Sequence, residues 1–236
     1  DQLERCVLWY RHGHLSSTGE CFDIGNTTST ALREFERTRN PRGGPTSPST
    51  AGNGSLMRLA PVPLVYANRF VEAVEKSGES SRTTHGAIEA VDSCRYMGAL
   101  ITGAVNGRSK TDLLSDHYSE DPSYWRDNPL CEKVAAIAKG SFKEKAPPSI
   151  KGGGYVIECL EAALWAFHNS ESFESGCLLA VNLGDDADTT GAVYGQLAGA
   201  YYGASSIPDD WANVLAKKEL LEFHSQSLHD LATPFA

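Results

Sequence analysis

The sequence predicts a single all-α domain, and three observations lead to that prediction. Apolar residues recur at helical spacing over most of the chain, and the alternation typical of a half-buried strand is nearly absent. The 236 residues, of which 41% are hydrophobic, are sufficient for one domain with a sizeable core. No internal repeat of fixed period divides the chain. We therefore expect residues 1–236 to form one helical domain.

Apolar side chains that share one face define the expected helices. Leu64, Ala67, Val71 and Val74 form one such face, and the same spacing recurs further along the chain. A further face of this kind consists of Val156, Leu160, Ala163 and Phe167. The predicted helices cover residues 2–12, 28–38, 62–77, 86–105, 154–168, 174–183, 188–203 and 210–231.

Three segments interrupt the helical pattern. Residues 40–55 are rich in Gly, Pro, Ser and Thr, so we expect a loop there, and loops of that length are often functional. Residues 144–154 form a second loop of this kind. Residues 107–129 are polar and irregular, and we expect them at the surface.

Charge and cysteine content narrow the class of protein. The net charge of −9 argues against nucleic acid as a partner, because phosphates require a basic surface, and against an anionic membrane. No apolar run is long enough to span a bilayer. The six cysteines form no C-x-x-C pair and are typical of reduced thiols, so we expect a cytoplasmic protein.

The stretch NLGDDADTTGA, residues 182–192, concentrates negative charge where a helix is expected to begin. Aspartates are favoured as helix N-caps, and acids suit the first turn. Asp185, Asp186 and Asp188 exceed what capping requires, and their mutual repulsion calls for a counter-charge. Oxygen ligands without His or Cys favour Mg²⁺, Ca²⁺ or Mn²⁺. Helix capping and cation binding both remain open from the residues alone.

Glycines recur every four residues in the helix that follows. Gly191, Gly195, Gly199 and Gly203 lie along one stripe, although each glycine weakens a helix by roughly 1 kcal/mol relative to alanine. We expect a neighbouring helix to approach the backbone closely along this stripe and to hold the first turn rigidly.

The stretch TAGNGSLMR places Gly52 and Gly54 around Asn53, directly before a helix. Glycines allow backbone N–H groups to approach a phosphate closely. The G-K-[ST] element of a P-loop is absent. A phosphate-binding turn and an ordinary flexible turn both fit this pattern.

Four blocks of sequence resemble the ADP-ribosylglycohydrolase family. They are GDDADTTGAVYGQLAGAYYG (184–203), AGNGSLMRLAP (51–61), GHLSSTGECFDIGNTT (13–28) and TTHGAIEAVDSCRY (83–96). The first block is similar in particular to members like dinitrogenase reductase-activating glycohydrolase. The resemblance implies a compact all-α fold with two divalent cations, Mg²⁺ or Mn²⁺, in a cleft that binds ADP-ribose. It also implies hydrolysis of the bond between the ribose anomeric carbon and a modified acceptor, either a protein, with arginine expected, or a small ADP-ribosyl compound.

The resemblance also implies roles for individual residues. The acidic metal motif falls on Asp186, Asp188 and Thr189, whereas Asp185 stands where glycine is common. Asp23 of FDIG is a candidate base beside the metals, so that Asp23 and Asp186 are the catalytic candidates. The implied substrate-binding residues are Ser49, Thr50, Ala51, Gly52, Asn53, Gly54, Ser55, His85, Gly153, Gly154 and Tyr155.

Within that set, the parts of ADP-ribose are divided among different residues. Asn53 is expected at the ribose and phosphate, His85 near the pyrophosphate, and Gly153 to Tyr155 on the adenosine side. His85 considered alone also fits an ordinary histidine at a helix start. We expect Arg58 to be a buried partner in an ion pair rather than a ligand.

One departure from the family concerns the metals. Family members carry an earlier Thr-Asp-Asp-Thr motif that completes the metal site, and this chain has none. The chain also begins in what reads as the middle of a helix, so we expect the N-terminal segment with the first metal half-site to be missing. The alternative to an enzyme is a non-catalytic relative, either an ADP-ribose-binding module or a structural protein similar to the family's lens crystallins.

Overall fold

Helices alone form the regular structure of residues 1–232, which are the residues that this computed structural model describes. Thirteen α-helices and three short 3-10 helices follow one another in that part of the chain, which contains no strand. One isolated β-bridge pairs Gly52 with Tyr155. The predicted all-α fold class is confirmed.

The α-helices are numbered in chain order. They are α1 (Gln2–His12), α2 (Asn26–Thr38), α3 (Pro61–Val65), α4 (Phe70–Arg82), α5 (Ile88–Val105), α6 (Lys110–Leu113), α7 (Tyr124–Asp127), α8 (Glu132–Ala138), α9 (Val156–His168), α10 (Phe173–Val181), α11 (Ala187–Tyr202), α12 (Asp209–Asn213) and α13 (Lys218–Ala232).

Every region that the periodicity predicts as helical is helical, but two of them are divided. The expected helix 62–77 consists of α3 and α4, separated by a turn in which the amide of Arg69 donates to the carbonyl oxygen of Tyr66 (2.7 Å). The expected helix 210–231 consists of α12 and α13. Apolar spacing does not reveal such turns when the buried face continues on both sides of them.

The expectation that residues 107–129 lie at the surface holds for most of them, which are exposed or half-buried, but it missed a small set of buried side chains. This segment contains α6 and α7, and Leu113, Tyr118, Tyr124 and Trp125 are buried in the main core. The rings of Tyr124 and Trp125 meet edge to face, with centroids 4.9 Å apart. A few large aromatic side chains bury enough area to anchor a segment that is otherwise polar.

The core is organised around α5. Buried residues occur all round this helix, which packs against α4, α9 and α11. A helix that is apolar on all sides is typical of a buried central position. α9 is similarly enclosed, and its neighbours are α5, α10 and α11. A smaller cluster of Leu3, Leu32 and Phe35 joins α1 to α2.

The glycine stripe of α11 does not form the close packing that the sequence predicts. A Cβ atom added to Gly191 would lie 2.8 Å from Cγ1 of Val181, so a neighbour is close there. Cβ atoms added to Gly195, Gly199 or Gly203 would meet no atom of the described residues within 4 Å. α11 instead packs through a different face, which consists of Val193, Tyr194, Leu197 and Ala198.

The packing of α9 against α11 brings the segments before the two helices together. The amide of Asp186, directly before α11, donates to the carbonyl oxygen of Gly152, in the loop before α9 (2.8 Å). Both helices therefore begin at the same end of the fold. Within residues 1–232, none of the helices combines the length and the apolar character needed to cross a bilayer.

Candidate active site

Three loops that are far apart in sequence meet at the start of α9. The amide of Asn53 donates to the carbonyl oxygen of Gly154 (3.1 Å), and the amide of Val156 donates to that of Ala51 (3.0 Å). These bonds pair the predicted glycine-rich loop with residues 152–155, whose other side carries the bond to Asp186 described above. The fold thus brings the predicted substrate loop, the predicted adenosine-side residues and the predicted metal motif together.

The side chain of Asn53 links two of these loops directly. Its Nδ2 atom donates to Oδ2 of Asp186 at 2.7 Å and to the carbonyl oxygen of Gly153 at 3.4 Å. Asn53 is 7% exposed, so this bond to a carboxylate is largely shielded from water. Asn53 was predicted at the ribose and phosphate; in the structure its amide orients the first aspartate of the metal motif.

The side chains of the acidic motif do not cap α11. Asp186 stands at the N-cap position of α11, but its side chain makes no capping hydrogen bond. The carboxylate of Asp188 and the hydroxyl of Thr189 bind no described residue, whereas the hydroxyl of Thr190 donates to the carbonyl oxygen of Asp186 (3.0 Å). Asp188 and Thr189 are therefore free to bind a ligand at the positive end of the helix dipole.

The oxygen atoms of this motif are of the type that binds a divalent cation. Two carboxylates and one hydroxyl are oxygen ligands, which Mg²⁺ and Mn²⁺ prefer, but they are fewer than the six that Mg²⁺ requires. In residues 1–232, no group of three or more His, Cys, Asp or Glu side chains is arranged to hold a metal ion. The described residues Asp186, Asp188 and Thr189 would thus form one side of a cation site.

Asp185 differs from its acidic neighbours in its backbone. It is exposed and has a φ angle of 52°, in the left-handed region that glycine adopts most readily. This conformation gives a physical reason for the glycine that is common at this position. The side chain of Asp185 makes no hydrogen bond or ion pair with the described residues, and nothing in the structure adds it to the ligand set.

Asp23 lies in the loop before α2, a helix whose first turn contacts the glycine-rich loop. Its carboxylate is exposed and makes no hydrogen bond or ion pair within the described residues. The hydroxyl of Thr27, in the first turn of α2, donates to the carbonyl oxygen of Thr50 (3.5 Å). The structure therefore leaves the Asp23 carboxylate free in the loop before α2, and no hydrogen bond joins Asp23 to Asp186.

His85 packs beneath the glycine-rich loop. The residue is 2% exposed, and a Cβ atom added to Gly54 would lie 3.0 Å from Cε1 and 3.2 Å from Nε2 of its ring. Glycine at this position therefore leaves room for the imidazole. Burial, together with the charge of Arg58, lowers the pKa of His85 from 6.5 to about 4. The ring is consequently neutral at pH 7.

Arg58 is not the ion-pair partner that we expected. Within the described residues it forms no ion pair, and its guanidinium donates to Ser80, Thr83 and Thr84 instead. These acceptors lie at the carboxyl end of α4, where the helix dipole stabilises a positive charge without a carboxylate. Burial lowers the pKa of Arg58.

The predicted loop residues differ in what they can offer a ligand. Ser49 is exposed, whereas the hydroxyl of Ser55 is fully buried and lies 2.9 Å from Oγ of Ser81. The amide N–H groups of Gly54 and Ser55 have no acceptor within the described residues. Two unpaired donors on a glycine-rich turn are suited to an anionic oxygen.

Tyr155 is held by two residues that the sequence did not indicate. Its hydroxyl donates to Oε2 of Glu89 (2.6 Å) and accepts from Nζ of Lys133 (2.8 Å), and these two residues also form an ion pair. Glu89 lies within one of the blocks that resemble the family, but no pattern in the sequence indicated Lys133. The two bonds fix the orientation of the Tyr155 ring beside the glycine-rich loop.

Comparison with known proteins identifies the family. A sequence model described as ADP-ribosylglycohydrolase matches residues 1–234. The chain is 40% identical over 229 residues to ADP-ribosylarginine hydrolase Tri1 of Serratia proteamaculans (strain 568), covering 97% of this chain and 60% of the relative. The corresponding protein of Pseudomonas putida (strain GB-1) is 41% identical, with 96% of this chain and 58% of the relative covered. This chain therefore spans about 60% of the length of these curated relatives.

Two further similarities extend these matches. The chain is 26% identical to ADP-ribosyl-[dinitrogen reductase] glycohydrolase of Rhodospirillum rubrum, over 96% of this chain and 69% of the relative. A solved structure titled ADP-ribosylglycohydrolase-related protein complex is 37% identical and superposes with a TM-score of 0.82, covering 98% of this chain and 74% of that chain. The resemblance of the four sequence blocks is thus confirmed over nearly the whole chain, which belongs to the ADP-ribosylglycohydrolase family.

Proposed function

We propose that this protein hydrolyses the glycosidic bond that links ADP-ribose to a modified acceptor, and that the acceptor is an arginine side chain of a protein. The names of the Tri1 relatives support arginine as the acceptor. The observation that carries the proposal is the 2.7 Å hydrogen bond from Asn53 to Asp186, which joins the glycine-rich loop to the acidic motif. A ligand that contacts both elements would have its ribose close to the carboxylates.

Binding of ADP-ribose would use the donors that the fold leaves unpaired. The N–H groups of Gly54 and Ser55 have no protein acceptor and would bind phosphate oxygens, as backbone donors on glycine-rich turns do. Tyr155, oriented by Glu89 and Lys133, would contact the adenosine side. An acidic protein can bind this anionic ligand because the contacts depend on local N–H donors rather than on net charge.

The chemical step replaces one bond to the ribose anomeric carbon by another. The transition state resembles an oxocarbenium ion: the bond to the guanidine nitrogen breaks as water attacks the same carbon. Asp23 would take the proton that the water loses and pass it to the departing guanidine nitrogen, so that the step neither gains nor loses a proton overall. Asp186, Asp188 and Thr189 would hold two divalent cations, Mg²⁺ or Mn²⁺, which would orient the ribose hydroxyls and the water.

The test compares two aspartate variants. We expect Asp23→Asn to lower the turnover of ADP-ribosyl-arginine by roughly 10²- to 10⁴-fold, because a general base is lost, while ADP-ribose binding persists. Asp185→Asn is the matched control, since Asp185 is also exposed and lies outside the proposed ligand set. Released ADP-ribose, measured with Mn²⁺ or Mg²⁺ present, gives the rate. Near-normal turnover of Asp23→Asn would remove Asp23 from the mechanism.

A second candidate is a relative that binds ADP-ribose without hydrolysing it. It is favoured by the small number of ligands, since residues 1–232 offer two carboxylates and one hydroxyl but no acidic group of three. The same experiment separates the candidates. Tight ADP-ribose binding without any turnover supports the second candidate, and turnover that depends on Mn²⁺ supports the first.

A further inference from the structure

We propose that Arg58 and Thr84 are positioning residues that hold His85 in the tautomer protonated on Nε2, so that the neutral ring donates one hydrogen bond to an anionic oxygen at the glycine-rich loop. The nature of that oxygen, a phosphate of ADP-ribose, rests on the proposed function. The assignment of the tautomer does not, because it follows from contacts within the protein.

The side chain of Arg58 can only donate hydrogen bonds. Its Nη2 atom has three acceptors within reach, and Oγ1 of Thr84 at 2.8 Å is nearer than the carbonyl oxygen of Ser80 at 3.1 Å or Oγ1 of Thr83 at 3.2 Å. The guanidinium is thus anchored at several points on the end of α4. One lone pair of the Thr84 hydroxyl is therefore committed to accepting a hydrogen bond.

The hydroxyl of Thr84 can in addition donate one hydrogen bond. Thr84 is 1% exposed, and its Oγ1 atom has only two partners among the described residues, Arg58 and Nδ1 of His85 at 2.9 Å. A buried hydroxyl uses its proton where an acceptor exists, because leaving it unpaired would be unfavourable. Since Arg58 accepts nothing, the proton of Thr84 points at Nδ1, and Nδ1 is the acceptor.

The proton of neutral His85 consequently resides on Nε2, because a neutral imidazole carries one proton on its two nitrogens. Nε2 makes no hydrogen bond within the described residues, and these residues do not enclose it completely. Its place against the loop is given by Gly52 and Gly54, whose added Cβ atoms would lie 3.5 Å and 3.2 Å from it. A free donor therefore faces the loop.

This tautomer complements the backbone of the loop. The unpaired N–H groups of Gly54 and Ser55 belong to the same turn, so Nε2–H of His85 would be a third donor for the same anionic oxygens. The opposite tautomer would present a lone pair to the phosphate. Burial and the charge of Arg58, which lower the pKa of His85 to about 4, are consistent with a donor that does not titrate near pH 7.

The direct test is long-range ¹H–¹⁵N correlation NMR of the imidazole groups in the ligand-free protein, with the resonances of His85 assigned by comparison with His85→Gln. We expect the nitrogen shifts of His85 to show a protonated Nε2 and a hydrogen-bonded, unprotonated Nδ1. A proton on Nδ1, or an equal mixture of tautomers, would overturn the inference whatever the protein binds.

Paired variants then test the two positioning residues. In Thr84→Val the Nδ1 resonance should move toward that of a nitrogen without a hydrogen bond, and ADP-ribose should bind roughly ten-fold more weakly as the ring loses its anchor. Thr84→Ser keeps the hydroxyl and should resemble the wild type in both measurements. In Arg58→Met the Thr84 hydroxyl loses the donor that anchors it, so its hydrogen bond to Nδ1 should weaken and the nitrogen resonances of His85 should shift, whereas Arg58→Lys should keep them near the wild-type positions.

The outcomes separate this inference from the proposed function. If Thr84→Val leaves the Nδ1 resonance unchanged, or binds ADP-ribose as Thr84→Ser does, the positioning role is refuted. A nitrogen pattern in Arg58→Met identical to that of the wild type removes Arg58 from the arrangement. If the wild type fails to bind ADP-ribose, the proposed function fails, while the nitrogen shifts still decide the tautomer. Should Arg58→Met not fold, the Thr84 pair and the wild-type spectrum remain decisive.

Discussion

Substitution of Asn53 by alanine should destabilise the protein and disturb the acidic motif together. The side chain is 7% exposed, and its Nδ2 atom donates to Oδ2 of Asp186 at 2.7 Å. A hydrogen bond to a charged group contributes about 1.5–3 kcal/mol, and its loss leaves a carboxylate oxygen without a donor in a shielded position. We therefore expect the free energy of unfolding to fall by roughly 2–3 kcal/mol.

The matched control for this variant is Asn182→Ala. Asn182 also donates from Nδ2 to an oxygen at 2.8 Å, but it is exposed and its acceptor is the carbonyl oxygen of Leu178 in the preceding helical turn. Substitutions of this exposed kind usually change stability by about 0.5 kcal/mol or less. The difference between the two variants therefore isolates the contact between Asn53 and Asp186.

Urea unfolding at pH 7 measures both variants, and unchanged slopes would show that the transition keeps its character. Mn²⁺ binding, measured by titration, should also be weaker in Asn53→Ala, because Asp186 loses the hydrogen-bond donor that orients it. If Asn53→Ala loses no more stability than Asn182→Ala, the bond between the two loops is not formed as described. In that case Asn53 does not join the substrate loop to the acidic motif.

Three further predictions concern the surroundings of the site. Gly44→Ala should lower the free energy of unfolding by roughly 1–3 kcal/mol, since its Cβ would lie 2.6 Å from the backbone nitrogen of His85. Gly43→Ala is the control and should be nearly neutral, because the nearest atom to its Cβ would be 3.5 Å away. Equal urea midpoints for the two variants would contradict this prediction. Because the pKa of His85 is lowered from 6.5 to about 4, the unfolded chain binds the proton more readily, and stability present above pH 6.5 should decline by up to roughly 3 kcal/mol as the pH falls to 4. That decline should be absent from His85→Gln, so parallel stability curves for the two proteins would refute it. Asp188→Asn should weaken Mn²⁺ binding, measured by calorimetry, by roughly ten-fold or more through loss of a charged ligand, and Asp185→Asn should not; equal affinities would exclude Asp188 from the ligands.

Helices were predictable from the sequence because their signal is local. The spacing of apolar residues located α1 without error and α5, α9 and α11 to within two residues, since a helix must bury one face whatever surrounds it. The segment 107–129 lies mostly at the surface as expected, but its buried side chains were missed for the converse reason. Its short helices are held by a few aromatic contacts with distant parts of the chain, which no local spacing reveals.

The candidate site was predictable in its residue types but not in its contacts. The three aspartates, the glycine-rich turn and the histidine could be identified in the sequence. The bond between Asn53 and Asp186 spans 133 positions, and it exists only because α9 and α11 begin at the same end of the fold. The role that the sequence proposed for Asn53, contact with ribose and phosphate, stays a prediction.

Arg58 and the glycine stripe of α11 show most clearly what the sequence determined and what only the tertiary structure decided. The sequence by itself determined the helical fold, the membership of the family and the chemistry available at the acidic motif, because these depend on local spacing and on residue type. It could not determine that Arg58 is bound by hydroxyl and carbonyl oxygens rather than by a carboxylate, or that the stripe from Gly195 onward lacks a close neighbour among the described residues. Those outcomes depend on which helix packs against which, and that choice is made by the shape of the whole core rather than by any single segment.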